Sequence, residues 1–192
     1  MSAEFTVPAE LDLSGDGYIA IAGRPPVEVP ESAKYRRAAT HGSGPHTYRS
    51  SDEAVALVDA QGTVTAVGVG RCVITAHDST GTAAQYELAV RGLRTVYLVS
   101  PAASLSGAHA ACAAVGLTLP TLADFKGLWA SYYPSSGPVA TYAAWLPYPF
   151  WTAGALGGGT ACAYDLDGYD RCANAFGRNA SDSYQVLGMS ST

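Results

Sequence analysis

Apolar and polar residues alternate with a period of two from Tyr48 to Val90. Ala56 and Val58, then Val64 and Ala66, then Cys72, Ile74 and Ala76, then Tyr86, Leu88 and Val90 each set one face inward. DAQG at 59–62 and DSTG at 78–81 supply the turns between them. Short strands at this spacing predict a β-sandwich. Upstream, the first 30 residues are rich in Pro and Gly. The apolar positions of YIAIAG and VEVP predict short edge strands there, interrupted by Pro25, Pro26 and Pro30.

The alternation stops around Arg91-Gly92-Leu93-Arg94, and TVYLVS predicts one more strand before Pro101. SLSGAHAACAAVG then reads as a helix, with Ser104 or Ser106 as N-cap, an Ala-rich body and Gly116 as C-cap. Thr121 followed by Asp124 forms a capping-box pair that opens a second helix and complements its dipole. Leu122, Phe125, Leu128, Trp129 and Tyr132 recur at three- and four-residue steps, a broad apolar stripe that must be buried. WLPYPFWTA, TACAYDL and SYQVLGM predict the strands of a small sheet to receive it.

Two resemblances follow from these motifs. Ser50 to Asp52, Leu57 to Asp59, Gly62 to Ala66 and Gly70 to Ala76 resemble the bacterial Ig-like group 2 domain, over about residues 10 to 90. Arg71 and Cys72 depart from its pattern, and Cys72 on the inward face reads as a buried free thiol. Ala111-Cys112, Leu119 to Leu122, Phe125-Lys126, Trp151-Thr152 and Tyr164 to Leu166 occur in the order found in the C-type lectin-like domain of the intimin and invasin adhesins. The resemblance implies an all-β Ig-like sandwich over 1–91 followed by an α+β C-type lectin-like domain over 95–192. The connection is too short for a flexible tether, so the expectation is a two-domain rod. The family pairs the helix cysteine with one in the last strand, where this chain has Gln185, Val186 and Leu187. Cys112 therefore lacks that partner, while Cys162 and Cys172 flank AYDLDGYDR and can cross-link it in an oxidising environment.

Composition narrows the function. Charged residues are only 14%, and Tyr at 12 outnumbers Phe at 4 and Trp at 3, so the expectation is a chain dominated by loops and strands and not a helical bundle. A net charge of −5 argues against general binding to nucleic acid or anionic membrane, which needs a basic face. Lys34, Arg36, Arg37 and Arg49 read as a solvated face. No apolar run is long enough to span a bilayer, and MSAEFTVPAELDLSGDG does not read as a secretory signal. The expectation is a chain that works without conventional export, or an excised or mature fragment. Four cysteines without a CxxC step leave the redox compartment open.

Catalytic and metal chemistry find little support. Asp165, Asp167 and Asp170 in DLDGYD resemble a calcium loop, but Gly168 falls at position four instead of six and no Glu closes the loop. The Glu-Pro-Asn, Gln-Pro-Asp and Trp-Asn-Asp tripeptides of calcium-dependent lectins are absent, so the carboxylates read as caps of backbone amides. An acid/base pair also needs a substrate cleft that a domain of this size rarely builds. His109 and Cys112 share helical spacing but lack further ligands, because His41, His46 and His77 lie in the other domain. Gly157-Gly158-Gly159 reads as a loop and not a phosphate cradle. The expectation is a protein that is not an enzyme and carries no cofactor or metal.

What remains is aromatic surface on Pro-bounded loops, which brings contact area at low entropic cost. Phe150 and Trp151 are expected to cover the sheet; Tyr142, Trp145 and Tyr148 are the candidate binding residues. The resemblance implies recognition or assembly at a surface. The first expectation is a bacteriophage virion protein, a capsid or tail appendage present in several copies or as a homo-oligomer. Its partners would be other virion proteins or a host-surface protein or glycan. The alternative is a receptor-binding tip of an intimin- or invasin-type adhesin at the bacterial cell surface.

Overall fold

The structure, a computed structural model, describes residues 5–190. In chain order its elements are β1 (Ala9–Asp12), β2 (Ile19–Ile21), β3 (Lys34–Arg36), β4 (Thr47–Ser50), β5 (Ala56–Val58), β6 (Thr63–Ala66), β7 (Gly70–His77), β8 (Ala83–Arg91) and β9 (Arg94–Ala103). There follow α1 (Leu105–Ala114), α2 (Leu122–Ser136), α3 (Val139–Tyr142), β10 (Phe150–Gly157), β11 (Thr160–Tyr164), β12 (Ala175–Asn179) and β13 (Tyr184–Met189). They form two units. The first takes the described residues through Asp16 together with Val29–Leu93; the second takes Gly17–Glu28 and the described residues from Arg94 to Ser190.

The first unit is an Ig-like sandwich of a four-stranded sheet, β1-β8-β7-β4, and a three-stranded sheet, β3-β6-β5. β7 and β8 pair antiparallel from Gly70 with Val90 to His77 with Ala83, so Cys72, Ile74 and Ala76 bury beside Tyr86, Leu88 and Val90. Tyr86 meets Tyr35 of the other sheet edge-on at 6.2 Å and Phe5 at 5.2 Å, which places the aromatic core between the sheets. Burial raises the pKa of the Cys72 thiol and holds the Tyr86 phenol well above its ordinary value. Asp78 closes the β7–β8 turn: its carboxylate accepts from Thr80 Oγ1 and from the amides of Ser43, Thr80 and Thr82, which depress its pKa to about 2. Gly92 ends the unit with φ +70° and passes so near Ser14 that a Cβ would lie 2.1 Å from the Ser14 nitrogen.

The second unit is built on one six-stranded sheet in the order β12-β11-β10-β13-β9-β2. Neighbouring residues of its strands go to opposite faces. Phe150, Tyr164 and Leu187 join Phe125, Leu128 and Tyr132 of α2, whereas Trp151, Ala163 and Val186 join Ala108 and Cys112 of α1. Both faces are thus covered, and the strands read as near-continuous apolar runs. Small residues let α1 lie close, and Gly188 leaves room for the Leu117 side chain, which a Cβ would approach to 2.7 Å. Ser104 is the α1 N-cap, accepting from the Gly107 amide at 3.3 Å. Thr121 and Asp124 form the full capping box of α2, and Asp124 also accepts from Arg94 of β9 at 2.5 Å.

Residues 17–28 depart from the expected division at 91–95. Ile19, Ala20 and Ile21 are all buried, which a sandwich edge strand with one wet face does not do. β2 lies parallel to β9, pairing Ile19 with Arg94 and Ile21 with Val96, and Ile19 and Ile21 pack on the α2 stripe. The outer edge of β2 is capped by α2: the Ile21 amide donates to the Tyr132 hydroxyl at 2.7 Å, and that hydroxyl donates to the Arg24 carbonyl at 2.8 Å. Beyond the strand, Val27 and Glu28 donate their amides to Ser136 and Ser135, so VEVP forms no strand. α2 carries Pro134 in its last turn before Gly137.

Candidate functional site

The loop that carries Trp145, Leu146 and Tyr148 is fastened at three points. Asp167 caps α3 from below, its Oδ1 accepting from the amides of Ala140 at 2.6 Å and Thr141 at 3.2 Å and its Oδ2 from the Thr141 hydroxyl at 2.9 Å. The C-terminus of α3 closes in a Schellman turn, with the Trp145 amide on the Ala140 carbonyl at 2.8 Å and the Ala144 amide on the Thr141 carbonyl at 3.1 Å. Such a turn needs a left-handed residue, and here Ala144 supplies it with φ 58°. Farther on, Gln185 of β13, almost fully buried, donates its side-chain amide to the carbonyls of Leu146 at 2.8 Å and Tyr148 at 2.6 Å. The loop backbone is satisfied inward, so its side chains turn outward: Leu146 is 53% and Tyr148 63% exposed.

A second exposed pair lies nearby on β9. Because β2 ends opposite Val96, β9 continues beyond it with no strand on that side among the described residues, and Tyr97 and Leu98 stand 42% and 40% exposed. Where β2 stops there is a cleft of about 180 Å³ lined by Ile21, Arg24, Tyr97, Leu98 and Trp145 among others. Trp145 serves the core and this cleft together, since its ring also meets Phe150 edge-on at 5.7 Å.

The three aromatic residues expected from the sequence therefore have different places. Tyr142 is half-buried against Tyr132 and donates its hydroxyl to the Pro25 carbonyl at 2.7 Å, which makes it a tie for residues 17–28. Trp145 lines the cleft, and Tyr148 stands on the exposed loop. Phe150 and Trp151 are fully buried, with the Trp151 indole donating to the Ala103 carbonyl at 2.8 Å. Arg24, Tyr97, Leu98, Leu146 and Gln185 were not among the expected residues. Leu146 had a signal in the Leu-Pro-Tyr-Pro run; Gln185 had one in being a lone amide within an otherwise apolar strand.

The acidic loop is occupied by its own backbone. Asp165 accepts from the Asp167 amide at 2.9 Å, Asp167 caps α3, and Asp170 accepts from Cys172 at 2.8 Å and Ala173 at 3.1 Å, which lowers the Asp170 pKa. Trp129 and Asn174 both donate to the Gly168 carbonyl, fixing the turn between them. Burial first, against a compensating hydrogen bond, pushes the Tyr164 phenol up to about 12, and its hydroxyl donates to the Arg171 carbonyl at 3.0 Å. Gly157, Gly158 and Gly159 all have positive φ and turn β10 into β11. Cys162 and Cys172, which an oxidising environment could pair, are both free thiols here: Cys162 is buried in β11 opposite Gly177, whereas Cys172 is exposed on the turn. Cys112 points its thiol at the Leu187 carbonyl of the last strand at 3.5 Å, and burial raises its pKa. His109 is exposed while Cys112 is buried, so the two do not converge. Among the described residues no helix is long and apolar enough to cross a membrane.

Residues 30–80 match the family model of the intimin immunoglobulin-like domain. Solved structures extend the likeness across both units. The crystal structure of an intimin–Tir90 complex is 19% identical over 77% of this chain and 79% of that one, with a TM-score of 0.53. A C-terminal 282-residue fragment of intimin, solved with the intimin-binding domain of the translocated intimin receptor, is 22% identical. It aligns over 77% of this chain and 53% of that chain at a TM-score of 0.54. Intimin-190 from enteropathogenic E. coli is 24% identical over 77% of this chain and 80% of that one, at 0.50. No curated protein matches the chain. The fold is an Ig-like domain followed by a C-type lectin-like domain of the intimin and invasin kind.

Proposed function

We propose that the protein is a non-enzymatic recognition module that binds a partner protein through its second unit, as the receptor-binding part of a bacterial surface adhesin. The observation that carries this reading is the fastened apolar surface of Trp145, Leu146 and Tyr148 beside Tyr97 and Leu98. Large apolar side chains held outward by buried polar ties are what protein interfaces use, because little entropy remains to be lost on contact. The intimin likenesses favour the adhesin setting over the virion appendage. Two of the solved intimin relatives are in complex with Tir, a receptor protein.

The test is binding of the fluorescently labelled chain to cultured epithelial cells by flow cytometry. The double variant L146D/Y148D is expected to bind at least about tenfold more weakly while its thermal melt is unchanged, since both side chains are exposed. Protease treatment of the cells should abolish binding and glycosidase treatment should not. Unaltered binding by the double variant would rule out this surface, and glycosidase sensitivity would rule out a protein receptor.

A further inference from the structure

We infer that the cleft at the end of β2 takes an extended segment of the partner protein in which a carboxylate side chain stands beside one bulky apolar side chain. This deepens the reading above and rests on it. Three features of the cleft define the occupant.

The first is size. A cleft of about 180 Å³ is well under the ~300 Å³ at which sites for whole small molecules begin, and suits a single large side chain delivered by a polymer. The second is the strand edge. β9 pairs with β13 on one side, Leu98 opposite Leu187 and Ser100 opposite Val186, while β2 covers its other side only from Arg94 to Val96. An extended chain can continue the line of β2 along that edge, taking main-chain bonds there and placing alternate side chains toward the cleft.

The third is charge. Arg24 is the sole charged residue lining the cleft. It is pinned on all sides: its amide donates to the Ile21 carbonyl at 2.9 Å, its carbonyl accepts from Tyr132, and one terminal nitrogen of the guanidinium donates to the Tyr142 carbonyl at 2.8 Å. That last bond draws the guanidinium to the cleft and leaves donors on it for a further acceptor. Arg71, Arg91 and Arg94 each face a carboxylate of this chain, at Glu87, Glu10 and Asp124. Among the described residues Arg24 forms no such ion pair. A fixed, planar donor set beside an apolar cleft matches a carboxylate adjacent to an apolar anchor, and does not match a second cation or a neutral apolar segment alone.

The experiment pans a library of random peptides, displayed as internal segments with neither terminus free, on the full chain, and then measures the enriched peptides on R24Q, L98D and, as a distant exposed control, L156D. Enrichment of Asp or Glu within two positions of a bulky apolar residue is expected. Binding should fall tenfold or more on R24Q and on L98D, and stay unchanged on L156D, with circular dichroism confirming that each variant is folded. If the enriched peptides lose binding on L98D but not on R24Q and show no acidic preference, the acidic partner is overturned while the docking surface stands. If no enriched peptide depends on Leu98, both the inference and the docking surface fail.

Discussion

The two units bury a β-sheet with different materials. In the first, strands of the larger sheet bury alternate residues, and the exposed side carries opposite charges across strands, Arg91 to Glu10 at 2.7 Å and Arg71 to Glu87. Exposed pairs of this kind add roughly 0.2–1 kcal/mol each, and one of them places charge on β1, an edge strand of the sheet. In the second, both faces of the sheet are covered, buried polar groups such as Asp124, Thr152 and Gln185 are tied to named partners, and the surface left over is apolar at Tyr97, Leu98, Leu146 and Tyr148. The sandwich sets paired charges across its exposed strands, while the second unit presents apolar surface on a fixed frame. That contrast depends on residues 17–28, which leave the sandwich to complete the other sheet.

The largest expected effect comes from replacing residues 17–28 with a Gly/Ser linker of the same length. The second unit then loses the burial of Ile19 and Ile21, about 2–3 kcal/mol each, and leaves the Tyr132 and Tyr142 hydroxyls without their partners. The sum is comparable to the ~5–15 kcal/mol that holds a whole domain together. Amide NMR spectra should retain dispersed resonances for the sandwich and lose them for residues 94–190. Collapse of both sets, or of neither, would break the division of labour drawn above.

A smaller cut at the same junction is Tyr132→Phe. It removes the acceptor of the buried Ile21 amide and the donor to Arg24, at a cost of about 1–3 kcal/mol. All three tryptophans, Trp129, Trp145 and Trp151, lie in the second unit, so indole fluorescence in urea reads that unit alone. Its midpoint should fall with an unchanged slope, while amide resonances of the sandwich stay as they were. Burial also keeps the Tyr132 phenol neutral far above its ordinary pKa. The raised value means that its stabilisation is full below about pH 10 and is lost as the pH rises beyond it. Tyr132→Phe should accordingly flatten the alkaline decline of the second unit.

Much of this architecture was legible because its signals are local. Period two from Tyr48 to Val90, the Thr121–Asp124 cap and the Leu122-to-Tyr132 stripe each act within a few residues, and each appears in the structure. Residues 17–28 were misplaced because three Ile and Ala residues look alike as an edge strand of either sheet; only burial on both faces separates the choices. Tyr97 and Leu98 sit in an apolar run that reads as core. Their exposure comes from the length of β2, three residues, and not from anything in β9 itself. Gln185 acts on carbonyls some forty positions earlier, a pairing that no local pattern encodes. The bond from the Tyr142 hydroxyl to the Pro25 carbonyl spans more than a hundred positions and has no local signal either.

The smallest expected effect tests whether the loop is held by its turn or by its side chains. Ala144 adopts a left-handed conformation that costs a Cβ-bearing residue about 1–2 kcal/mol. Gly relieves that cost but adds freedom to the unfolded chain worth about 0.4–1 kcal/mol, so Ala144→Gly should stabilise the second unit by about 0.5–1 kcal/mol. The urea midpoint read by indole fluorescence should rise accordingly. The bonds that orient Trp145, to the Ala140 carbonyl, and Leu146 and Tyr148, to Gln185, do not involve the Ala144 side chain, so cell binding should be unchanged. A stabilised variant that binds less well would show that the Ala144 methyl group itself shapes the contact surface. A destabilised one would show that its packing outweighs the backbone cost, and would move the anchor of this loop from the α3 turn to the Gln185 clamp alone.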